Sequence, residues 1–395
     1  MSERQIVVVS AARTAIGKYG GSLKDIPPTD LAAAVVRETI KRAAVEPADV
    51  GHVVFGNVIH TEAKDMYFSR VAAIRGGCPV ETPALTLNRL CGSGLQAIIS
   101  AAQCIKLGDT NVAIGGGAES MSRGQYWVGG LRWGQRMNNA AVVDAMVGAI
   151  TDPFDEVHMG ITAENVAAKW GISREDQDTF ALQSQRRAVD AIKHCVFKEQ
   201  IVPIEMKSKN GTSFFDTDEQ PRGDTTPEGL AKLKPAFDRN GTVTVGNSSA
   251  INDGAAAVLL MEEKAAEAGG FTAIGRLVDY GIAGVEPKYM GIGPVAAVKT
   301  VLARTGLKVS DMDLIESNEA FAAQALAVSR ELDFPPEKTN PNGGAIALGH
   351  PIGATGAMLT VKALYELKRT GGRYALVTMC IGGGQGIAAI FEAIN

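Results

Sequence analysis

Twice along this chain, once toward each end, a glycine-rich turn opens a helical stretch that leads into a short apolar strand and a glycine triplet. In the first copy the turn is Asn88-Arg89-Leu90-Cys91-Gly92-Ser93-Gly94 and the triplet is Gly115 to Gly117. In the second the glycine-rich run covers 343–356 and the triplet is Gly382 to Gly384. Around the first copy, residue patterning predicts strands over 6–10, 52–55, 84–87 and 112–115, the last ending in its triplet, with helices over 30–44 and from Gly92. Around the second it predicts helices over 295–305, 320–332 and 357–369 and strands over 314–317 and 375–379. Such alternation implies α/β architecture built from parallel βαβ units. The repeated order points to a duplicated βαβ fold; two unrelated α/β domains are the alternative.

The stretch between the copies has another character. Residues 121–250 hold all three tryptophans (Trp127, Trp133, Trp170), a helical stretch over 173–194 and a polar tract over 207–234. It reads as an inserted loop or lid domain. The division is then 1–120 plus 251–272 for an N-terminal half, 121–250 for the insertion and 273–395 for a C-terminal half.

A chain of 395 residues, 46% hydrophobic and 21% charged, has enough material for large buried cores. Its net charge of −4 lacks the basic footprint of a nucleic-acid binder. No apolar run is expected to reach the ~18 residues of a membrane span. Ser2-Glu3-Arg4-Gln5, followed by the short apolar run 6–9, is not a secretory signal. The five cysteines (Cys78, Cys91, Cys104, Cys195, Cys380) are odd in number and far apart, so neither a disulfide framework nor a metal site is expected. A cytoplasmic protein with reduced thiols is the expectation.

Four segments carry chemistry. Cys91 falls where a helix begins, its apolar face marked by Leu95, Ile98, Ile99, Ala102 and Ile105. Unpaired N–H groups and the helix dipole there favour a thiolate, the nucleophilic form. Gly92, Ser93 and Gly94 are small enough to let a thioester approach. The alternative is a buried structural cysteine, the reading that Cys104 and Cys195 receive. His350 lies in Gly349-His350-Pro351-Ile352-Gly353-Ala354-Thr355-Gly356, where it could take a proton from a thiol, or simply be a polar loop residue. Cys380 ends a strand before three glycines, where open α/β sheets place their sites and free N–H groups can hold an oxyanion; an incidental cysteine in a turn is the alternative. Asn318 stands at a strand-to-helix junction, either capping the helix or holding a water.

In this order, Asn88…Cys91…Ser93-Gly94, Asn318-Glu319-Ala320-Phe321, Gly349-His350-Pro351…Gly353…Gly356 and Cys380…Gly382-Gly383-Gly384…Gly386 resemble the thiolases. The resemblance runs from Val7 through Gly115–Ser122, His158-Met159-Gly160 and Gly246–Ser249 to the C-terminus. The stretch 57–67 looks most like bacterial β-ketothiolases of the biosynthetic type. The resemblance implies duplicated βαβ halves in a five-layered αβαβα core with an inserted loop domain. It implies reversible Claisen condensation of two acetyl-CoA to acetoacetyl-CoA and CoA, by a ping-pong path through acyl-Cys91. His350 would deprotonate Cys91 and Cys380 would take a proton from the second acetyl-CoA. His350 and a water on Asn318 would serve the enolate oxygen, and the N–H groups of Cys91 and Gly382 the tetrahedral intermediate. Arg222 matches the family position for coenzyme A phosphates, and His158 and Ser249 match its pantetheine pocket. Met159, Phe237, Met290 and Phe321, with Ala320 beside them, look like its walls, although an ordinary core role fits those apolar residues as well. Acyl-CoA thioesters would be substrates with no metal or other cofactor, and the assembly a homotetramer.

Ser317, where many relatives carry Ala, and Ala250, where Gly is common, depart from the pattern and bear on pocket detail. A degradative thiolase for longer 3-ketoacyl chains is the nearest alternative. A condensing enzyme of the same superfamily typically uses one cysteine, which Cys380 argues against. A non-catalytic acyl-CoA-binding protein would lack one of Cys91, Asn318, His350 and Cys380. A redox-sensing thiol protein would want a nearby resolving cysteine, and no C-x-x-C is present.

Overall fold

The structure is a computed structural model that describes residues 4–208 and 211–394. Ser2, Glu3 and the 209–210 portion of the polar tract lie outside the described residues. In chain order the elements that build the site are β1 (Ile6–Thr14), α1 (Pro28–Ala43), β2 (His52–Gly56), β3 (Ala84–Leu87), α2 (Ser93–Leu107), β4 (Val112–Ser120), α3 (Met159–Trp170), α4 (Arg174–Lys193), β5 (Asn252–Glu262), β6 (Gly275–Gly284), α5 (Gly293–Thr305), β7 (Leu314–Ser317), α6 (Ala322–Leu332), α7 (Thr355–Thr370), β8 (Tyr374–Ile381) and β9 (Gln385–Glu392).

Two sets of strands repeat one pairing pattern. In the first, β2 runs parallel to β3 and β4, β4 pairs antiparallel with β5, and β5 antiparallel with β1. In the second, β7 runs parallel to β8, β8 pairs antiparallel with β9, and β9 antiparallel with β6. An isolated parallel bridge from Ile315 to Thr339 occupies the place that β3 has in the first set. The sets join edge to edge through β1 and β6 over two residues, Val7↔Arg276 and Val8↔Gly275. The sheets are therefore mixed, not purely parallel as the sequence pattern implied. Of the strands that reading missed, β5 and β9 are apolar runs without alternation, because both faces of each are covered, and β6 is a mixed run bounded by glycines.

Helices fill three layers around the two sheets. Helix α1 covers β1 and β5 from outside, α5 covers β6 and β9 from the opposite outside, and α2 and α7 pack against each other in the middle. This is the five-layered αβαβα core that the resemblance implied. Helix α2 buries Leu95, Ile98, Ile99, Ala102 and Ile105 on the expected face and stops at Gly108, whose φ of 88° is left-handed. The window Leu90–Leu107 is, as a helix, long and apolar enough to cross a membrane. Here that apolarity is explained by the central layer: α2 lies against β2, β4 and α7.

Glycines set the layer spacing. A Cβ on Gly94 would sit 2.7 Å from Ala357 N, and one on Gly356 would sit 2.4 Å from Leu95 N. Each middle helix thus presents a glycine at its N-terminus to the other, and the two N-termini meet. The first triplet is not a turn: Gly115 to Gly117 lie inside β4. A Cβ on Gly115 would meet Ile98 Cα at 2.5 Å, and one on Gly117 would meet Gly353 O at 2.1 Å. Only the second triplet follows its strand, with Gly383 and Gly384 at φ 79° and 83°.

The stretch between β4 and β5 shares the main apolar core through Ala188, Ala191, Phe197, Ile201 and Phe215. Asp218 takes two hydrogen bonds from the Arg13 guanidinium on β1, at 2.7 and 2.8 Å, with both side chains buried.

Candidate active site

Cys91 sits between β3 and α2, in a turn that side chains hold in shape. Asn88 Oδ1 accepts from Leu90 N at 2.8 Å. Ser93 Oγ accepts from Arg89 N at 2.8 Å and donates to Leu90 O at 2.7 Å. Leu90 is thereby held left-handed, at φ 45°. Gly92 and Gly94 are small because Ile381 and the α7 N-terminus stand against them, not to admit a substrate. Helix α2 begins at Ser93 with Gly92 as its cap, so Cys91 precedes the helix proper. Burial pushes its thiol up to about 11, outweighing hydrogen bonds from the N–H groups of Gly382 and of Cys91 itself. The thiolate that a helix N-terminus alone would favour is therefore not the resting form, and ionising this sulphur requires a base.

His350 lines one cavity with Cys91. It is buried among Asn252, Thr355 and Asn318. Its backbone N–H donates to Asn252 Oδ1 at 2.9 Å, and its Nδ1 lies 2.6 Å from Thr355 Oγ1. The Thr355 hydroxyl donates to Pro351 O at 2.9 Å, so its oxygen is free to accept. That assigns the ring proton to Nδ1 and leaves Nε2 as the acceptor nitrogen. Asn318 Nδ2 approaches Nε2 at 3.5 Å. Burial lowers His350 to about 4, so the ring is neutral near pH 7.

Cys380 is the penultimate residue of β8 with its side chain buried, and burial together with the neighbouring Cys91 pushes its thiol well above the usual range. Helix α6 begins at Ala322 with Phe321 at its cap, so Asn318 is not the cap residue. Asn318 is fully buried behind His350, and its Oδ1 has no partner among the described residues.

One cavity of about 530 Å³ joins these groups. Cys91, Cys380, His350 and Gly382 lie in its wall with Met159, Met290, Ala320, Phe321, Phe237, His158, Ser249 and Arg222. Every residue expected to act in catalysis or to bind substrate lines it except Asn318. The lining is built from hydrogen bonds between distant segments: Ser249 N donates to Ala320 O at 2.9 Å, and Ile251 bridges His350. His158 Nδ1 accepts from Gly160 N at 2.9 Å, capping α3, and its ring stacks on Phe237 at 4.6 Å. Its proton is thus on Nε2. Gly160 is required there, since a Cβ would lie 2.2 Å from Phe237. The exposed Arg222 side chain has no ion pair among the described residues. Ala250 lines the cavity; Ser317 does not, and its buried Oγ has no partner among the described residues.

Sequence reasoning missed Lys18 and Tyr19, which line the cavity from the far N-terminus. It also missed Thr355, whose only signal is its place five residues after His350. Glu119 was missed as well. This buried carboxylate accepts from Val58 N, Ile59 N and Gly353 N at 3.1, 3.0 and 2.8 Å and is pushed up to about 8 by burial. Cys104 is partly exposed and Cys195 exposed, so neither is the buried structural cysteine expected. No group of potential metal ligands occurs among the described residues.

Two thiols and a proton-accepting imidazole facing one cavity, on a frame of two matched βαβ halves, define a thiol-dependent α/β enzyme. Family models described as Thiolase, N-terminal domain and Thiolase, C-terminal domain match residues 6–264 and 271–393, and the chain belongs to the thiolase family. It is 63% identical over 392 residues to beta-ketothiolase BktB of Cupriavidus necator, covering 99% of this chain and 100% of that protein. It superposes on the crystal structure of the Bacillus anthracis acetyl-CoA acetyltransferase with a TM-score of 0.97 at 44% identity, over 99% of each chain. Human mitochondrial 3-ketoacyl-CoA thiolase in complex with CoA gives 0.96 at 44% identity, over 99% of this chain and 98% of that one.

Proposed function

We propose that this protein is an acetyl-CoA C-acetyltransferase, a β-ketothiolase that interconverts two acetyl-CoA with acetoacetyl-CoA and CoA through an acyl thioester on Cys91. The observation that carries this reading is an unprotonated imidazole Nε2, two thiols and two aimed backbone N–H groups in one cavity. The names of BktB and the acetyl-CoA acetyltransferase support it.

His350 Nε2 takes the Cys91 proton and the sulphur attacks the acetyl carbonyl. The N–H groups of Cys91 and Gly382 hold the oxyanion. Collapse breaks the bond to CoA, whose sulphur takes the Cys380 proton. Cys380 is then a thiolate, and its burial makes it a strong base. It removes a methyl proton from a second acetyl-CoA, while the His350 imidazolium and a water on Asn318 face the enolate oxygen. The carbanion attacks acyl-Cys91, and Cys91 leaves and recovers its proton from His350. No metal or redox cofactor enters these steps. Arg222 would take a coenzyme A phosphate, and His158, Ser249 and the apolar wall, which line the same cavity, the pantetheine.

Incubation with acetyl-CoA, acid quench and peptide mass spectrometry tests the reading. One acetyl group is expected on the Cys91 peptide, removed by CoA and absent in Cys91→Ala. No label on folded, reduced protein would sink it. A degradative thiolase for longer chains is the second reading, supported by the name of the human neighbour. Comparing thiolysis of acetoacetyl-CoA with that of longer 3-ketoacyl-CoAs separates the two.

We also assign a cytoplasmic location and a homotetramer. Exposed apolar side chains in the insertion support assembly, among them Trp133 at 89% and Met137 at 80% exposure. Sedimentation equilibrium would give the subunit number, and a monomer would end that assignment.

A further inference from the structure

Asn318 needs a fixed orientation, yet it lies between β7 and α6 and belongs to neither. Its neighbours hold it. Asn340 brackets the preceding residue: its Oδ1 accepts from Ser317 N at 2.9 Å and its Nδ2 donates to Ser317 O at 2.7 Å. The same Nδ2 donates to Glu319 Oε1 at 2.9 Å. Glu319 Oε2 accepts from Ser184 Oγ at 2.6 Å and from Ile346 N at 3.3 Å. One buried carboxylate, 2% exposed, thus ties together the turn carrying Asn318, the loop leading to His350 and helix α4 of the inserted stretch. The fit is close, since a Cβ on Gly344 would lie 2.1 Å from Glu319 Cδ. All three partners are donors, which suits an ionised acceptor.

We propose that Glu319 is a positioning residue for the carbon–carbon bond-forming half of the reaction: clamped by Ser184, it fixes Asn340, and Asn340 fixes the Asn318 amide. This rests on the acyl-transfer reading above. His350 has its own supports in Asn252, Thr355 and the Ile251 bridge. Acylation of Cys91 draws on His350 and two backbone N–H groups, whereas enolate formation also draws on Asn318. The two half-reactions therefore separate the role of Glu319 from general support of the fold.

Glu319→Gln keeps the side-chain shape and turns one acceptor into a donor. Asn340 cannot rotate its amide to compensate, because Ser317 N and O use both of its ends. A cleft of about 340 Å³ lined by Ser184, Glu319 and Asn340 gives the segment room to shift. Rapid-quench acetylation of Cys91 and steady-state condensation would be measured in Glu319→Gln and in the milder Ser184→Ala. Condensation kcat is expected to fall about ten- to a hundredfold in Glu319→Gln and several-fold in Ser184→Ala. Acetylation of Cys91 should stay within about twofold, as should KM. Equal loss in both half-reactions, or no loss in either, overturns the proposal. If Glu319→Gln does not fold, Ser184→Ala alone decides by the same split. Absence of acetyl-Cys91 in the unaltered protein would overturn the acyl-transfer reading, and this inference with it.

Discussion

At the scale of the residue, the site turns on where two protons sit. Thr355 accepts a hydrogen bond from His350 Nδ1–H because its own hydroxyl is committed to Pro351 O, and that leaves Nε2 unprotonated, as the proposed base needs. Thr355→Val should preserve shape, lose the anchor, and slow acetylation of Cys91 about ten- to a hundredfold with little change in KM, read by rapid quench. The pH behaviour follows from burial. His350 falls from 6.5 to about 4, so Nε2 stays unprotonated, and the acid limb of acetylation should lie near pH 4 and not near 6.5. The same shift affects stability. Between these values the unfolded chain binds the proton that the folded ring refuses. The contribution is present above pH 6.5 and is lost as pH falls through about 4. It amounts to about 3 kcal/mol. Urea unfolding from pH 7 to 4 should show a shallower loss in His350→Asn than in the unaltered protein; identical slopes would refute this.

At the scale of the element, the decisive contact is between the N-termini of α2 and α7. Cys91 precedes the first and His350 the second. Gly94 and Gly356 are what allow the approach. Gly356→Ala would push a methyl to 2.4 Å from Leu95 N, backbone that cannot yield cheaply. We expect a loss of about 1–3 kcal/mol in thermal or denaturant unfolding and a larger proportional loss of Cys91 acetylation, because the strain separates thiol from imidazole. Unchanged stability would show that the helices can slide. The motif residues were legible in the sequence, but the roles of these glycines were not. A glycine at a turn and a glycine beneath a crossing helix look alike until the second helix is placed, as Gly115 to Gly117 inside β4 illustrate.

At the scale of the molecule, the inserted stretch is fastened to the first half by the buried Arg13–Asp218 pair, with Gln200 accepting from Arg13 Nε at 2.7 Å. Asp218→Asn would strand a guanidinium in the core, and a cost of about 3–5 kcal/mol is expected from denaturant midpoints. The same lesion should weaken coenzyme A binding, since Gln220 and Arg222 line the cavity two and four residues further on. An increase in KM for acetyl-CoA beyond about threefold is the expected sign.

The sequence by itself determined the duplicated α/β frame, the family, and the identity of many of the residues around the cavity. Each of those is written in local periodicity or in short motifs whose members are close along the chain. It did not determine the charge state of Cys91, because burial outweighed the helix terminus that pattern reading weighed alone. Nor did it reveal the proton assignment of His350, the antiparallel strands β5 and β9, or the contributions of Lys18, Tyr19 and Glu319. Those depend on desolvation and on contacts between segments far apart in sequence, which exist only once the two halves and the insertion have closed around one cavity.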